Sequence, residues 1–273
     1  MELTGTKIAE IYEKINQQRP IIHCITNAVT VNDCANILLA AGASPTMAHH
    51  PLEAAEITEG CTSLVCNFGA IDDYEAMLAA GKRAKELGHA IVVDPVGVSG
   101  STYRRERAIS FIREVHPTCV RGNYSEIRAL LDNCSTVTGV DAAKTDQDAS
   151  HQEALVTAME QYADREKIIL IASGKTDVIT DGNETLFCEN GDPMMAKITG
   201  SGCMSSAMLG AFLGVEPSMN GAAACCAFMG SAGEIAAEKT KDCGGGTMTF
   251  RNCLIDTVSL MTREDFDRVT LGK

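Results

Sequence analysis

The chain of 273 residues carries 23 Lys and Arg against 36 Asp and Glu, which gives a formal net charge of −13. Hydrophobic residues make up 45% and charged residues 22%, values typical of a globular protein that exclude the disordered, collagen-like and disulfide-scaffold classes. The acidic balance disfavours nucleic acid and anionic membranes as partners, since proteins that bind them need a basic patch. A small anion held by a few local donors remains compatible with this charge.

The cysteines and the N-terminus indicate a reducing compartment. Twelve cysteines occur without a CxxC pair, and the first twenty residues lack the apolar core of a signal peptide. The sequence therefore predicts a cytoplasmic protein with reduced thiols. Residues 198–215 are uncharged and approach membrane-spanning length, but their Gly and Ser content favours a buried helix over a membrane span.

Short apolar runs alternate with helix-length periodic segments through the first two thirds of the chain. In order they are PIIHCIT and VNDCANILLAAG, TSLVCN and YEAMLAAGKRAKELG, HAIVVDP and ERAISFIREV, TCVRGN and SEIRALL, and HQEALVTAMEQYA and EKIILIAS. Continuously apolar strands belong to a parallel sheet covered on both faces, so the pattern predicts an α/β fold with a mostly parallel central sheet between helices. TDVITDG and ETLFCEN predict a hairpin, and the chain is predicted to be mostly helical from Ser201.

No linker or low-complexity segment interrupts the chain, so one domain over residues 1–273 is expected. Three polar residues follow apolar strand segments at equal intervals of 27 residues: Asn67, Asp94 and Arg121. Because the carboxyl ends of parallel strands meet at one edge, where ligands of open α/β sheets bind, we expect these side chains to converge there. The alternative is that each one only closes its own turn.

A glycine-rich segment before a long apolar helix predicts an anion site. Gly200, Ser201, Gly202 and Cys203 begin this helix, and its free amides and positive dipole end suit a transferring phosphoryl group. The alternative is a turn that allows close helix packing. SGKT at 173–176 is not a P-loop, because Ile169 stands where that motif needs glycine and a β-like run follows.

Cys203 differs from the other cysteines by its place in the first turn of this helix, where the dipole favours the thiolate. The sequence therefore predicts that Cys203 takes part in the chemistry of this site, and the alternative is a thiol that only packs in the core. Most of the other cysteines lie in apolar runs and are expected to pack as small hydrophobic residues.

Five collinear motifs give the chain a resemblance to the hydroxyethylthiazole kinase family, of the ribokinase-like superfamily. They are HCITNAVTVNDCANILLAAGASPTMA, VVDPVGVSGS, CVRGNYSEI, ASGKTDVITDG and ITGSGCMSSA, in the family's order and spacing. The resemblance implies a ribokinase-like fold without a separate lid domain. It also implies ATP-dependent phosphorylation of the hydroxyl of 4-methyl-5-(2-hydroxyethyl)thiazole, with Mg²⁺, in thiamine biosynthesis or salvage.

The resemblance also implies roles for individual residues. The thiazole is expected at Asn27, Val29 and Met47, with Gly200 at the reacting end and Cys203 as the catalytic residue. ATP is expected at Arg121 and Ser173, and Mg²⁺ at Asp94 and Glu126, directly or through water. Members of the family are trimers with sites at subunit boundaries, so a homotrimer is expected.

Four positions depart from the family pattern: Cys66, Phe68, Ser99 and Ser101. They affect the expected fit of the substrate and the loop after Asp94 more than the reaction. Three other functions stay open at this point. They are a hydroxymethylpyrimidine kinase, a hydrate dehydratase acting on nicotinamide cofactors, and a non-catalytic nucleotide-binding regulator, which the set of Asp94, Arg121, Glu126 and the anion loop disfavours.

Overall fold

A computed structural model describes residues 3–132 and 149–272, except for the side chains of residues 149–151. The strands are β1 (Ile21–Ile25), β2 (Ser44–Thr46), β3 (Ser63–Asn67), β4 (Ala90–Asp94), β5 (Cys119–Asn123), β6 (Ile169–Ser173), β7 (Asp177–Thr180), β8 (Thr185–Cys188) and β9 (Leu271–Gly272). The helices are α1 (Gly5–Gln18), α2 (Val31–Ala40), α3 (Ala54–Glu59), α4 (Tyr74–Leu87), α5 (Thr102–Val115), α6 (Tyr124–Asp132), α7 (Ala149–Glu166), α8 (Ser201–Val215), α9 (Met219–Asp242) and α10 (Thr247–Leu260).

The strands of the described residues form one sheet in the order β2-β1-β3-β4-β5-β6-β7-β8-β9. Strands β1 to β6 run parallel to one another, and β7, β8 and β9 continue the sheet in antiparallel pairing. Every residue of β3 and β4 is buried, as expected of central strands covered on both faces. The predicted α/β fold with a mostly parallel sheet is confirmed.

A hydrophobic core lies on each face of the sheet. One contains the apolar side chains of α1, α2, α8, α9 and α10, with Phe212, Phe228 and Phe250 fully buried. The other contains those of α4 to α7, with Phe68 and Phe111 at its centre. The two cores fix both helix layers against the strands and hold the carboxyl ends of β3, β4 and β5 in place beside α8.

Glycines follow the ends of two helices. Gly42, with φ of 84°, follows α2, and Gly88, with φ of 70°, caps α4 in the left-handed region that glycine adopts at little cost. Strands β7 and β8 form the predicted hairpin. In the described part of the chain, no helix has the length and apolar character needed to cross a membrane.

The cysteines of the described residues are all free, and most are buried in the two cores. Cys24, Cys66 and Cys119 are examples on the central strands, where they pack as small apolar side chains. Cys203 and Cys253 are half-buried and Cys243 is exposed. Cys134 lies outside the described residues.

Candidate active site

The carboxyl edge of the sheet brings the predicted polar side chains together. Asn67 and Asp94 end β3 and β4 and pair in register, and Asn67 Nδ2 donates to Asp94 Oδ2 at 2.8 Å. Arg121 is the third residue of β5 rather than its last, and it follows Val120, which pairs with Val93. The guanidinium lies near enough to Asp94 to oppose the rise in its carboxyl pKa. The predicted convergence is confirmed.

Cys203 joins this group from the first turn of α8. Its Sγ receives two amide N–H donors, Asn27 Nδ2 at 3.4 Å and Asn67 Nδ2 at 3.3 Å. Asn27 Nδ2 also donates to Asn67 Oδ1 at 3.2 Å. The segment after β1, the end of β3 and the start of α8 therefore meet around one sulfur atom.

The start of α8 has the form of an anion site. Gly200 precedes the helix with φ of 85°, and a Cβ there would lie 2.6 Å from Thr30 Cγ2, so the position requires glycine. The turn begins with Met204 N–H donating to Gly200 O at 2.8 Å. The amides of Ser201, Gly202 and Cys203 come before that bond and have no carbonyl one turn earlier in the helix. They form the positive end of α8.

Arg121 lies against this helix start. Its Nη1 donates to Gly202 O at 3.1 Å and to Ser206 Oγ at 3.4 Å, which fixes the guanidinium below the first turn of α8. On the neighbouring strand, Ser173 Oγ donates to Gly122 O at 3.2 Å. Arg121 and Ser173, the expected ATP residues, thus lie on adjacent strands at the same edge.

Two buried carboxylates lie near Arg121. Burial raises the pKa of Asp94, and Arg121, Ser206 and Asn67 oppose that rise. Burial, with a smaller contribution from the charge of Asp94, raises the pKa of Glu126 to about 7. Gly97 N–H donates to Glu126 Oε1 at 3.0 Å and Asn123 N–H to Oε2 at 2.9 Å, so Glu126 joins the loop after β4 to the start of α6.

The thiolate expected from the helix dipole is wrong for this structure. Burial raises the pKa of the Cys203 thiol, and the negative charge of Asp94 adds to the rise. Hydrogen bonds with Thr30, Asn27 and Asn67 lower it but do not compensate. Desolvation of the sulfur therefore outweighs its place at the helix terminus.

The expected thiazole residues lie in two segments near this cluster. Asn27 contacts Cys203 directly, and its Oδ1 accepts from Val29 N–H at 3.1 Å, while the Val29 side chain is 73% exposed. Met47 is half-buried against the core that contains α8. His23 holds Ala48, the residue after Met47, because its Nε2 donates a hydrogen bond to Ala48 O at 2.8 Å.

Several residues of the site were not assigned a role from the sequence. Asn67 was placed at the sheet edge, but its contact with Cys203 depends on how α8 packs. Thr30, Ser206 and His23 act through contacts between distant segments, which no local pattern reveals. Ser206 has one local signal, since it lies one helical turn after Gly202 and so faces the same side of α8.

The comparisons with known proteins agree with this geometry. The model of the hydroxyethylthiazole kinase family matches residues 12–264. A hydroxyethylthiazole kinase of Clostridium botulinum (strain Eklund 17B / Type B) is 39% identical over 258 residues, covering 93% of this chain and 92% of its own.

Solved structures extend the comparison to the fold. A hydroxyethylthiazole kinase protein from Pyrococcus horikoshii OT3 superposes with a TM-score of 0.85 at 29% identity, over 97% of this chain and 98% of that one. The Bacillus subtilis ADP/ATP-dependent NAD(P)H-hydrate dehydratase, co-crystallised with ATP/Mg²⁺ and soaked with CoA, has a TM-score of 0.56 at 11% identity, over 94% and 97% of the two chains. That second likeness shows a shared fold alone. The chain belongs to the hydroxyethylthiazole kinase family, whose members are phosphotransferases.

Proposed function

We propose that the chain transfers the γ-phosphoryl group of ATP to the hydroxyl of 4-methyl-5-(2-hydroxyethyl)thiazole, in thiamine biosynthesis or salvage. One observation carries the proposal: the start of α8, Arg121 and Asp94 surround Cys203, which Asn27 contacts from the expected thiazole segment. In this proposal an anion site and an alcohol site share Cys203. The names of the relatives agree with this substrate.

The anion site would receive the phosphates. The free amides at the start of α8 and the Arg121 guanidinium offer donors and positive charge to the oxygens of the γ-phosphoryl group. Ser173 would contact the nucleotide from the next strand. Because these groups are fixed before the substrate binds, they stabilise the charge of the transition state without reorganisation.

In the transfer, the oxygen of the alcohol forms a bond to the γ-phosphorus while the bond from that phosphorus to the bridging oxygen of ADP breaks, and the hydroxyl proton is released to water. Cys203 Sγ lies where the hydroxyl would approach. Because its pKa is raised, the thiol stays protonated at neutral pH and cannot readily accept a proton, so its contribution is mainly to orient the hydroxyl. A loose transition state needs little early removal of the proton, so orientation is sufficient.

Asp94 and Glu126 would hold Mg²⁺, Glu126 through water. Their environment fits a cation, since both are buried and the charge of Asp94 adds to the raised pKa of Glu126. The described residues contain no group of three or more His, Cys, Asp and Glu that could hold a metal. Two carboxylates suit Mg²⁺, which keeps several waters and binds substrate phosphates. When bound, the ion neutralises phosphate charge.

The homotrimer expected from the family is part of the proposal. Val29 is 73% exposed in the expected thiazole segment, and Leu52, five residues after Met47, is 90% exposed. A neighbouring subunit at this position would cover both side chains. We expect Leu52→Asp to shift the sedimentation coefficient from trimer towards monomer, and Leu260→Asp, which changes another exposed leucine, to leave it unchanged.

A substrate panel tests the activity. Purified protein with ATP and Mg²⁺ is offered the thiazole alcohol, hydroxymethylpyrimidine or hydrated NADH, and ADP release is followed by a coupled assay. We expect ADP release that depends on the thiazole alcohol. Preference for either of the other two compounds would assign the chain to a sibling activity, and no ADP release with any of them would favour a nucleotide-binding regulator.

A further inference from the structure

Asn67 has a more specific position than the end of a strand requires. Its side chain is 1% exposed and makes four hydrogen bonds to four different residues. Nδ2 donates to Asp94 Oδ2 at 2.8 Å and to Cys203 Sγ at 3.3 Å. Oδ1 accepts from Gly69 N–H at 2.9 Å and from Asn27 Nδ2 at 3.2 Å.

These contacts fix which way the amide faces. The Gly69 amide and the Asn27 Nδ2 group are both donors, so they require the carbonyl oxygen of Asn67. The opposite orientation would place Oδ1 against the Asp94 carboxylate and leave two donors facing an NH₂ group. Only one orientation satisfies all four partners.

The single nitrogen of Asn67 therefore serves two acceptors of the site at once. One N–H points to the carboxylate of Asp94 and the other to the sulfur of Cys203, each at a hydrogen-bonding distance. With Asn27 as the second donor to the sulfur, the thiol proton has to point away from both amides. The orientation of Cys203 thus follows from Asn67 and Asn27.

We propose that Asn67 is a positioning residue for phosphoryl transfer, which holds Cys203 Sγ and the Asp94 carboxylate in one fixed arrangement by donating to both. This inference rests on the proposed function, since the alcohol and the phosphates are expected beside Cys203 and Asp94. We expect Asn67 to contact neither substrate, because it is 1% exposed. Its effect is carried by the two side chains that it orients.

The first experiment needs no enzymatic activity. Asn67→Leu keeps the size of the side chain and removes both donors. Alkylation of Cys203 by iodoacetamide is quantified by peptide mass spectrometry across pH, so that the midpoint reports the thiolate fraction and the plateau reports access. The charged or titratable groups near this thiol are Asp94 on β4, Arg121 on β5 and Cys34 on α2.

The midpoint of Cys203 alkylation is expected to rise by about one pH unit in Asn67→Leu, a tenfold loss of thiolate at a given pH. Asn16→Leu is the matched control, because Asn16 is an exposed amide on α1, away from the site, whose Nδ2 donates to Tyr12 O. That control is expected to leave the midpoint unchanged. An unchanged midpoint in folded Asn67→Leu would overturn the proposal, whatever the enzyme's substrate proves to be.

The second experiment is a double-mutant cycle on kcat for the thiazole alcohol. Asn67→Leu is expected to lower kcat about 100-fold with little change in KM, since misplacing reacting groups has effects of that order. In the Cys203→Ala background the loss caused by Asn67→Leu is expected to shrink to about tenfold, because the part of the Asn67 effect that acts through Cys203 is already absent. Equal factors in both backgrounds would contradict action through Cys203.

Asn67→Asp covers the case in which the leucine variant does not fold. It keeps the size and the oxygen that accepts from Gly69 and Asn27, and it replaces the NH₂ donor. A loss of kcat is expected at a pH where circular dichroism shows the variant to be folded. Wild-type kcat in Asn67→Asp would overturn the proposal, whereas no turnover by the wild-type protein would count against the proposed function alone.

Discussion

Glu126 accepts a hydrogen bond from Gly97 N–H at 3.0 Å, and this contact joins the loop after Asp94 to the start of α6. The carboxylate also accepts from Asn123 N–H, while Glu126 N–H donates to Asn123 Oδ1 at 2.9 Å, a reciprocal cap at the start of α6. Glu126 thereby fixes the loop that follows the proposed magnesium ligand Asp94. The same carboxylate is buried, so its ionised form destabilises the folded protein, and this destabilisation depends on pH.

Without ligand, the chain is expected to lose stability as pH rises from 5 to 8 more steeply than Glu126→Gln. The pKa of Glu126 is raised by burial from 4.5 to about 7, so its contribution is full below pH 4.5 and is lost as pH rises through 7. Over this pH range, the free energy of unfolding is expected to fall by about 3 kcal/mol more in the wild type than in Glu126→Gln. Urea denaturation of both proteins at several pH values measures it. Identical pH dependence of wild type and variant would show that Glu126 is not perturbed.

Cys203→Ala is expected to lose only about tenfold in kcat, because a thiol with a raised pKa stays protonated at neutral pH and is proposed chiefly to orient the hydroxyl. Arg121→Ala and Asp94→Ala are expected to lose on the order of 1,000-fold, since they remove charges that are proposed to contact the phosphates or the magnesium ion. Cys203→Asp is expected to stay active, because it supplies a competent carboxylate base. Steady-state kinetics of the four variants compare them. A wholly inactive Cys203→Ala that still binds both substrates would contradict the orienting role.

Gly200→Ala is expected to lower both stability and activity. Its φ of 85° is strained for alanine, and the added Cβ would meet Thr30 Cγ2 at 2.6 Å, which displaces the start of α8. The backbone strain alone is about 1–3 kcal/mol. Thermal melting and kcat are measured beside Gly60→Ala, where the added Cβ meets no atom nearer than 3.8 Å. Thr30→Ser removes the clash but not the strained φ, so combining it with Gly200→Ala is expected to restore part of the activity. Equal behaviour of the two alanine variants would refute this account of Gly200.

His23 is expected to affect binding of the alcohol rather than the chemical step. Ala48 O can only accept, so Nε2 of His23 carries the proton, and burial lowers the pKa of this imidazole, which favours the neutral form. His23→Leu removes the contact that holds the residue after Met47. We expect KM for the thiazole alcohol to rise about tenfold, with kcat nearly unchanged. A smaller rise is expected in His23→Gln, which keeps an N–H donor. A fall in kcat at constant KM would place His23 in another role.

Much of the fold could be predicted because the central strands are apolar along their whole length and each is followed by a periodic helix. Strands β2 and β9 could not. Ser44–Thr46 is short and contains Pro45, and Leu271–Gly272 is a strand only because it pairs with β8. Helix α9 is buried through much of its length, so its 24 residues lack the periodic pattern that marks the other helices.

The parts of the site that residue type and spacing mark in the sequence could be predicted. The parts that depend on how distant segments pack could not. Equal intervals predicted the convergence of Asp94 and Arg121, and the glycines predicted the start of α8. The sign of the shift in the pKa of Cys203 was wrong, because the dipole argument is local and desolvation depends on the segments that cover the sulfur. The contact between Asn67 and Cys203 joins residues 136 positions apart, so no local pattern could reveal it.

The most direct measurement of the central claim is ³¹P NMR of the products formed from ATP, Mg²⁺ and 4-methyl-5-(2-hydroxyethyl)thiazole. Wild-type protein is expected to produce the resonance of the thiazole phosphate monoester in step with ADP, and Asp94→Asn is expected to produce neither at a comparable rate. Release of inorganic phosphate without the monoester, or no reaction of folded wild-type protein, would contradict the assignment of phosphoryl transfer to this alcohol.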